Sequence, residues 1–292
     1  MNAMVNLNGH LCGPEDAKIS VFDRGFLFGD GVYETGKSVN RCCLFLEDHL
    51  LRLKRSAGKL KIPVPFTDEE LTEEIYRTAR ALGREQASFR VILSRGVGPV
   101  LGLESFEDLT PTWVIIFQPL SDKLDGLREN GIKILTSTIV RNSISAQDPN
   151  IKTSNYLNSL LALQDVKSRG GEDAILCDSK GHVAEGTTFS LFGVTPSQTL
   201  ITSSLEVGIL DSITRRQVLE LGKKFLKIEE GFIPLSRFQE CTEVFIASSI
   251  KEIVPVREWD GKKYLLPGKV TEVLKKGFKD RIQTYISTHP KY

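Results

Sequence analysis

Residues that could build a metal or redox centre are few in this chain, and none are suitably paired. The five cysteines, Cys12, Cys42, Cys43, Cys177 and Cys241, contain no CxxC spacing. That removes a dithiol redox motif and the common zinc arrangements. Cys42 and Cys43 are neighbours in the chain, and the expectation is of ordinary reduced thiols in a cytoplasmic protein. The histidines, His10, His49, His182 and His289, offer no paired ligand spacing, so no metal is expected. There is no GxxxxGKS or GxxxxGKT phosphate loop, no HExxH zinc helix and no GxSxG nucleophile elbow. An excess of charge of one sign is also lacking: 38 basic residues face 37 acidic ones, a net charge of +1. That balance gives no electrostatic reason to expect nucleic acid or a membrane surface, although a small anion in a local pocket stays compatible with it. No apolar run approaches the length of a membrane span. The polar opening MNAMVNLNGHLCGPEDAK does not read as a secretory signal.

What is present is a chain of 292 residues, 40% of them hydrophobic. This is enough for a substantial core in one large domain or two smaller ones. The glycine-rich stretch DRGFLFGDG at 23–31, the VYETGK that follows, and the apolar run 42–46 read as short antiparallel strands joined by turns. Leu50, Leu53, Ala57 and Leu60 recur at helical spacing, predicting a helix over 47–60 that stops before Pro63. A second helix is expected over 68–82, closed by Gly83, then strands over 87–94 and 113–117. The polar stretch 119–127 reads as a linker. Beyond it a strand over 132–137 precedes a helix over 155–168, with Ser154 as its cap and Gly170–Gly171 past its end. Tyr156, Leu157, Leu160, Leu161, Leu163 and Val166 are expected to form its buried face. Strands over 174–177, 188–194, 199–202, 243–247 and 252–256 and helices over 210–221 and 270–285 complete the pattern. Helices and strands mix in both halves without regular βαβ spacing, which favours an α+β architecture.

The residues with chemical potential are scattered. Lys152 stands beside Thr153 and Ser154, with Tyr156 just after; Glu185 lies in AEGTTFSLF; Arg52 and Arg90 sit in apolar surroundings. A lysine whose surroundings favour the neutral amine is a nucleophile and forms Schiff bases. Taken singly, Lys152 also reads as a solvated side chain, and Glu185 beside glycine and threonines also reads as part of a turn.

Seven segments in order carry a resemblance: ISVFDRGFLFGDGVYETG at 19–36, FLEDHLLRLKRSA at 45–57, the run 90–103, IKTSNYLNSLL at 151–161, the run 185–194, GILDSITR at 208–215 and EVFIASSIKEIVPV at 243–256. Together they resemble the fold type IV pyridoxal-phosphate enzymes, the class IV aminotransferases that include branched-chain and D-amino-acid aminotransferases and aminodeoxychorismate lyase. The resemblance implies an α+β fold of two domains. A small α/β domain would cover 1–118, a linker 119–127, and a larger α/β domain with a barrel-like β core and the cofactor lysine 128–292. It further implies pyridoxal 5'-phosphate as cofactor, lying between the domains, and a homodimer in which loops near 32–38 and 96–103 help wall the pocket. By the same match, Lys152 is the imine-forming catalytic lysine. Tyr156 bonds the cofactor's phenolic oxygen, Glu185 faces its pyridine nitrogen, and Arg52, Ile213, Thr214 and Ser249 lie on its phosphate side.

For the substrate, Tyr33 and Arg90 match pocket positions of branched-chain enzymes, and Ser249 and Ile250 fall in the turn that those enzymes write as GTA. An amino acid and a 2-oxo acid are the expected small-molecule partners, with an aliphatic L-amino acid leading. A D-amino acid or R-amine aminotransferase, the lyase, and a non-catalytic binding protein are the alternatives. Departures concern substrate more than cofactor. Ser88 replaces a tyrosine, Ser190 an asparagine and Ser212 a glycine, while Val100 and Gly102 stand where D-specific enzymes place an arginine and a histidine. The lyase's arginine–glycine–tyrosine loop is missing.

Overall fold

The structure, a computed structural model, describes residues 2–99, 101–103 and 108–292; Val100, used above to weigh substrate class, lies outside them. The chain divides into two compact units. The first comprises Met1–Ser121, Ile151–Asn155 and Gln283–Tyr292; the second comprises Asp122–Asn150 and Tyr156–Ile282. The α+β class and the two-unit organisation agree with the expectation. Among the described residues no helix is long and apolar enough to cross a membrane.

In chain order the first unit holds β1 (Met4–Leu7), β2 (His10–Cys12), α1 (Arg24–Phe28), β3 (Gly31–Val39), β4 (Cys42–Cys43), α2 (Leu46–Lys59), α3 (Asp68–Leu82), β5 (Ala87–Ser94) and β6 (Thr112–Pro119). The strands form one sheet in the order β2-β1-β6-β5-β3-β4, antiparallel at every pairing. The predicted periodicity of α2 holds: Leu46, Leu50, Leu53 and Ala57 are buried along one stripe. Glu47 and Asp48 in its first turn and Lys59 in its last complement the helix dipole. Helix α3 opens with a capping box between Thr67 and Glu70 and closes on Gly83 in the left-handed region, where glycine carries no Cβ penalty. Leu53, Leu71 and Ile75 pack with Phe89, Leu93, Ile115 and Phe117 of the sheet. Along β3 every residue but Thr35 and Val39 is buried. Gly36 is required there, because a Cβ would come within 2.4 Å of the Phe89 ring.

Among the described residues, strand β4 pairs only with Ser38 and Val39 of β3. Further along, the segment 151–155 is tied to the same strand: the Tyr33 N–H donates to the Lys152 carbonyl at 2.9 Å and Val32 bridges Thr153. The Lys152 N–H also donates to Ser56 Oγ of α2 at 3.2 Å. These bonds explain why Ile151–Asn155, expected in the second domain, groups with the first unit.

The second unit opens with α4 (Lys123–Asn130), then β7 (Ile132–Thr136), α5 (Leu157–Ser168), β8 (Asp173–Cys177), β9 (Val183–Gly186), β10 (Ser190–Val194), β11 (Thr199–Ser203), α6 (Ile213–Gly222), β12 (Lys227–Gly231), α7 (Leu235–Gln239), β13 (Glu243–Ser248), β14 (Glu252–Trp259), β15 (Lys262–Lys263) and α8 (Lys269–Thr288), whose last residues belong to the first unit. Its nine-stranded sheet runs β12-β11-β10-β13-β14-β7-β8-β9, with β15 on β14. Strand β9 returns against β10 and β11, so the sheet curls on itself, as the barrel-like expectation required. The stretch read as a linker already contains the start of α4. Polar composition hid the helix, which is held by tertiary contacts: Arg128 donates to the carbonyls of Lys251 and Ile250, both at 3.1 Å.

Helix α5 departs from its expected face and cap. Tyr156 precedes the helix with no side-chain capping bond, so Ser154 is not its cap. The buried residues are Ser159, Ala162 and Val166, of which Ala162 and Val166 pack with Leu135, Ala174 and Leu176. Leu157, Leu160 and Leu161 are exposed. Small residues let the helix lie close to β8, and the wide apolar arc leaves its leucines outside.

Candidate active site

Lys152 is placed by backbone bonds on both of its sides, and its side chain has a defined partner. Nζ lies 2.9 Å from the Tyr33 hydroxyl and 4.3 Å from the centre of that ring. Tyr33 is only 2% exposed. The Arg90 guanidinium stacks 4.7 Å from the same ring, with Nε 3.3 Å from Thr35 Oγ1. Lys152, Tyr33 and Arg90, selected separately in the sequence, therefore form one group. Unlike the apolar setting expected for it, the Arg90 side chain is exposed.

Successive strand residues point to opposite faces, so Glu34 turns from Tyr33 toward α2. There it meets His49 and Arg52, three residues apart on one helix face. Arg52 donates through Nε at 2.7 Å and Nη2 at 2.8 Å to the two carboxylate oxygens, and His49 Nδ1 lies 2.6 Å from Glu34 Oε2. All three are buried. Burial opposes the Glu34 charge, yet the Arg52 guanidinium and the hydrogen bonds from Arg52 and His49 outweigh it and hold the carboxyl at about 2. His49 goes down from its usual value: burial dominates, against the upward pull of Glu34. At neutral pH Glu34 is thus ionised and His49 neutral. Glu34 was not foreseen. Its two partners lie on a helix beyond the next turn, and no short-range pattern announces such a pairing.

The second unit carries the other residues. Glu185 is buried on β9; its Oε1 accepts from Arg141 Nη2 at 2.6 Å and its Oε2 from the Leu210 N–H at 3.2 Å. Arg141 also contacts Asn158 Oδ1 at 3.5 Å, and its own N–H donates to the Cys177 carbonyl at 2.8 Å. This second arginine escaped sequence reasoning because it sits in an irregular segment, IVRNSIS, without periodicity. Three residues after Leu210, α6 begins. Ser212 caps it by accepting from the Arg215 N–H, and Ile213 and Thr214, both buried, occupy the first turn, whose N–H groups have no acceptor within the helix. Replacing the usual glycine by Ser212 therefore supplies a capping oxygen. Tyr156 is half-buried at the start of α5. Ser249 and Ile250 lie on the turn after β13, where the Lys251 N–H donates to Ser248 Oγ at 3.2 Å. Ser190 is buried in β10.

The model of the class IV amino-transferase family matches residues 31–259, a span holding every residue just described. The chain belongs to the class IV aminotransferases. This aminotransferase is 36% identical over 279 residues to a "Putative branched-chain-amino-acid aminotransferase" of Methanocaldococcus jannaschii, covering 94% of this chain and 95% of that protein. A D-alanine aminotransferase of Bacillus licheniformis is 29% identical over 259 residues, 88% of this chain and 89% of that one. Among solved structures, a branched-chain aminotransferase of the archaeon Thermoproteus uzoniensis with norvaline superposes with a TM-score of 0.88. That pair is 27% identical, covering 97% of each chain.

Proposed function

We propose that this class IV aminotransferase uses pyridoxal 5'-phosphate to move an amino group between an aliphatic, branched-chain-like L-amino acid and a 2-oxo acid. The observation that carries the reading is the Lys152 amine held against the Tyr33 hydroxyl, with a second, arginine-backed carboxylate at Glu185. The donor set suits this cofactor: a primary amine for its aldehyde, a carboxylate for its ring nitrogen, and an arginine and a helix N-terminus for its phosphate. When bound, pyridoxal phosphate supplies the electron sink that lets a substrate Cα–H bond break.

The chain's residues then divide the work. Lys152 would hold the cofactor at rest and act as the base that moves the proton of the substrate Cα. Tyr33 orients the Lys152 amine for that transfer. Glu185 keeps a proton on the ring nitrogen, and Arg141 fixes the carboxylate's orientation and charge. Tyr156 bonds the phenolic oxygen, while Arg52, the first N–H groups of α6 at Ile213 and Thr214, and Ser249 bind the phosphate. Arg90, Ser249 and Ile250 face the substrate. Resemblance to the Methanocaldococcus and Thermoproteus proteins supports the aliphatic L-amino acid.

Separate half-reactions test this. The purified holoenzyme mixed with L-leucine is expected to lose its cofactor band and gain pyridoxamine phosphate within seconds, with D-alanine slower by at least about tenfold. Conversion by D-alanine alone would overturn the substrate assignment. It would favour the second reading, in which Arg90 beside Tyr33 holds the carboxylate of a D-amino acid.

A homodimer is the second part of the proposal. In the first unit, Val21, Phe22, Phe26, Val97, Leu101 and Leu103 are large, apolar and exposed. The two segments are bonded together, with the Arg24 N–H donating to the Gly96 carbonyl and the Gly98 N–H to the Phe22 carbonyl. Large apolar side chains exposed on two bonded segments mark an association site. Phe26→Asp combined with Leu101→Asp is expected to weaken self-association by roughly a hundredfold or more, read as a shift to monomer in light scattering. A monomeric wild-type enzyme would sink the idea. The five cysteines are all free, which supports a reducing, cytoplasmic setting.

A further inference from the structure

The carboxylate at Glu34 stands in an unexpected place for a phosphate-binding protein, because it sits against the arginine assigned above to the phosphate. We infer that Glu34 is the positioning residue for Arg52: it fixes the guanidinium in the orientation that grips the cofactor phosphate. The inference rests on the proposed role of Arg52.

Three observations carry it. Glu34 takes the Nε–Nη2 edge of Arg52 with two bonds of 2.7 and 2.8 Å. A bidentate grip on that edge sets the plane of the guanidinium and so the direction in which Nη1 points. His49 Nδ1, 2.6 Å from Glu34 Oε2, braces the carboxylate from the same helix face. The whole group is closed from solvent, with Glu34 1%, His49 2% and Arg52 5% exposed. The carboxylate therefore cannot swing into water while Arg52 acts alone.

Electrostatics alone predicts the opposite arrangement. With His49 neutral, Glu34 cancels the charge of Arg52, and the triad is neutral as a unit. If attraction of the phosphate dianion were the only requirement, removing Glu34 would unmask the guanidinium and tighten binding. Positioning predicts looser binding. The two accounts differ in sign.

The test compares two probes on the apoenzyme, pyridoxal 5'-phosphate and pyridoxal, which lacks the phosphate. Affinities are read by equilibrium titration of the cofactor band, independently of turnover. Glu34→Gln, which removes the fork but keeps the volume, is expected to weaken pyridoxal phosphate binding by about tenfold and to leave pyridoxal within about twofold. Glu34→Asp keeps the charge and withdraws it by one methylene. It is expected to show the same selective loss, and it serves if the glutamine variant does not fold. In an Arg52→Ala background, Glu34→Gln should have no further effect on the phosphate-bearing probe. Unchanged or tighter binding of pyridoxal phosphate by both Glu34 variants would overturn the positioning role. Equal losses for both probes would assign Glu34 to general packing and overturn it too. If Arg52→Ala itself fails to reduce the preference for pyridoxal phosphate over pyridoxal, the reading of Arg52 as phosphate ligand falls first.

Discussion

Lys152→Ala is expected to lower turnover of L-leucine with a 2-oxo acid by at least about 10⁴-fold and to remove the lysine-linked cofactor band. The size of the effect follows from two tasks meeting on one nitrogen. Under the proposed mechanism Nζ would be the covalent anchor and also the base that transfers the proton. The Tyr33 hydroxyl at 2.9 Å offers no amine to form the imine, so it does not replace the lysine. The backbone bonds of Lys152 survive truncation of its side chain, because its carbonyl still accepts from Tyr33 and its N–H still donates to Ser56. The variant is therefore expected to fold, with an unchanged far-ultraviolet circular dichroism spectrum. A folded Lys152→Ala protein turning over within a factor of ten of wild type would remove the lysine from the mechanism.

Glu185→Gln should have the second largest effect, a loss of roughly 10²–10³-fold in the rate of the L-leucine half-reaction. The glutamine fills the same volume and still accepts from Arg141 or from the Leu210 N–H, but it carries no charge with which to keep a proton on the ring nitrogen. If Glu185 faces the ring nitrogen as proposed, the ring would then draw electrons less strongly, and Cα–H cleavage would slow while amino-acid binding is largely spared. The expected signature is a fall in the maximal single-turnover rate with an apparent substrate affinity that changes little. A variant reacting within about threefold of wild type would show that the carboxylate serves only to satisfy Arg141.

The legibility of the sequence varied with the range of the forces involved. Helices α2 and α3 and strand β5 were readable because periodicity, a capping box and a closing glycine act within a few residues. Helix α5 was located well and oriented wrongly. Its leucines span too wide an arc for periodicity to select a face, and the choice fell to Ala162 and Val166 packing on β8. Helix α4 was missed because its stability comes from Arg128 and the turn after β13, more than a hundred residues away. The same distance problem divided the candidate site. Lys152, Tyr156 and Glu185 stood out through resemblance. The charges that hold the site residues did not: Glu34 behind Arg52 and Arg141 behind Glu185 are partners chosen by tertiary folding, and each looks ordinary in its own stretch of chain.

The tie between Lys152 and strand β3 of the first sheet has a mechanical consequence. A reactive group at the tip of a free loop would inherit every displacement of that loop. Here the main chain is stitched to β3 just where the side chain departs, so the pivot of the side chain is tied to that strand. What can still swing is the four-carbon stem, a short pendulum on a tethered pivot, and under the proposed mechanism its arc would be the path for carrying a proton from one carbon to the other.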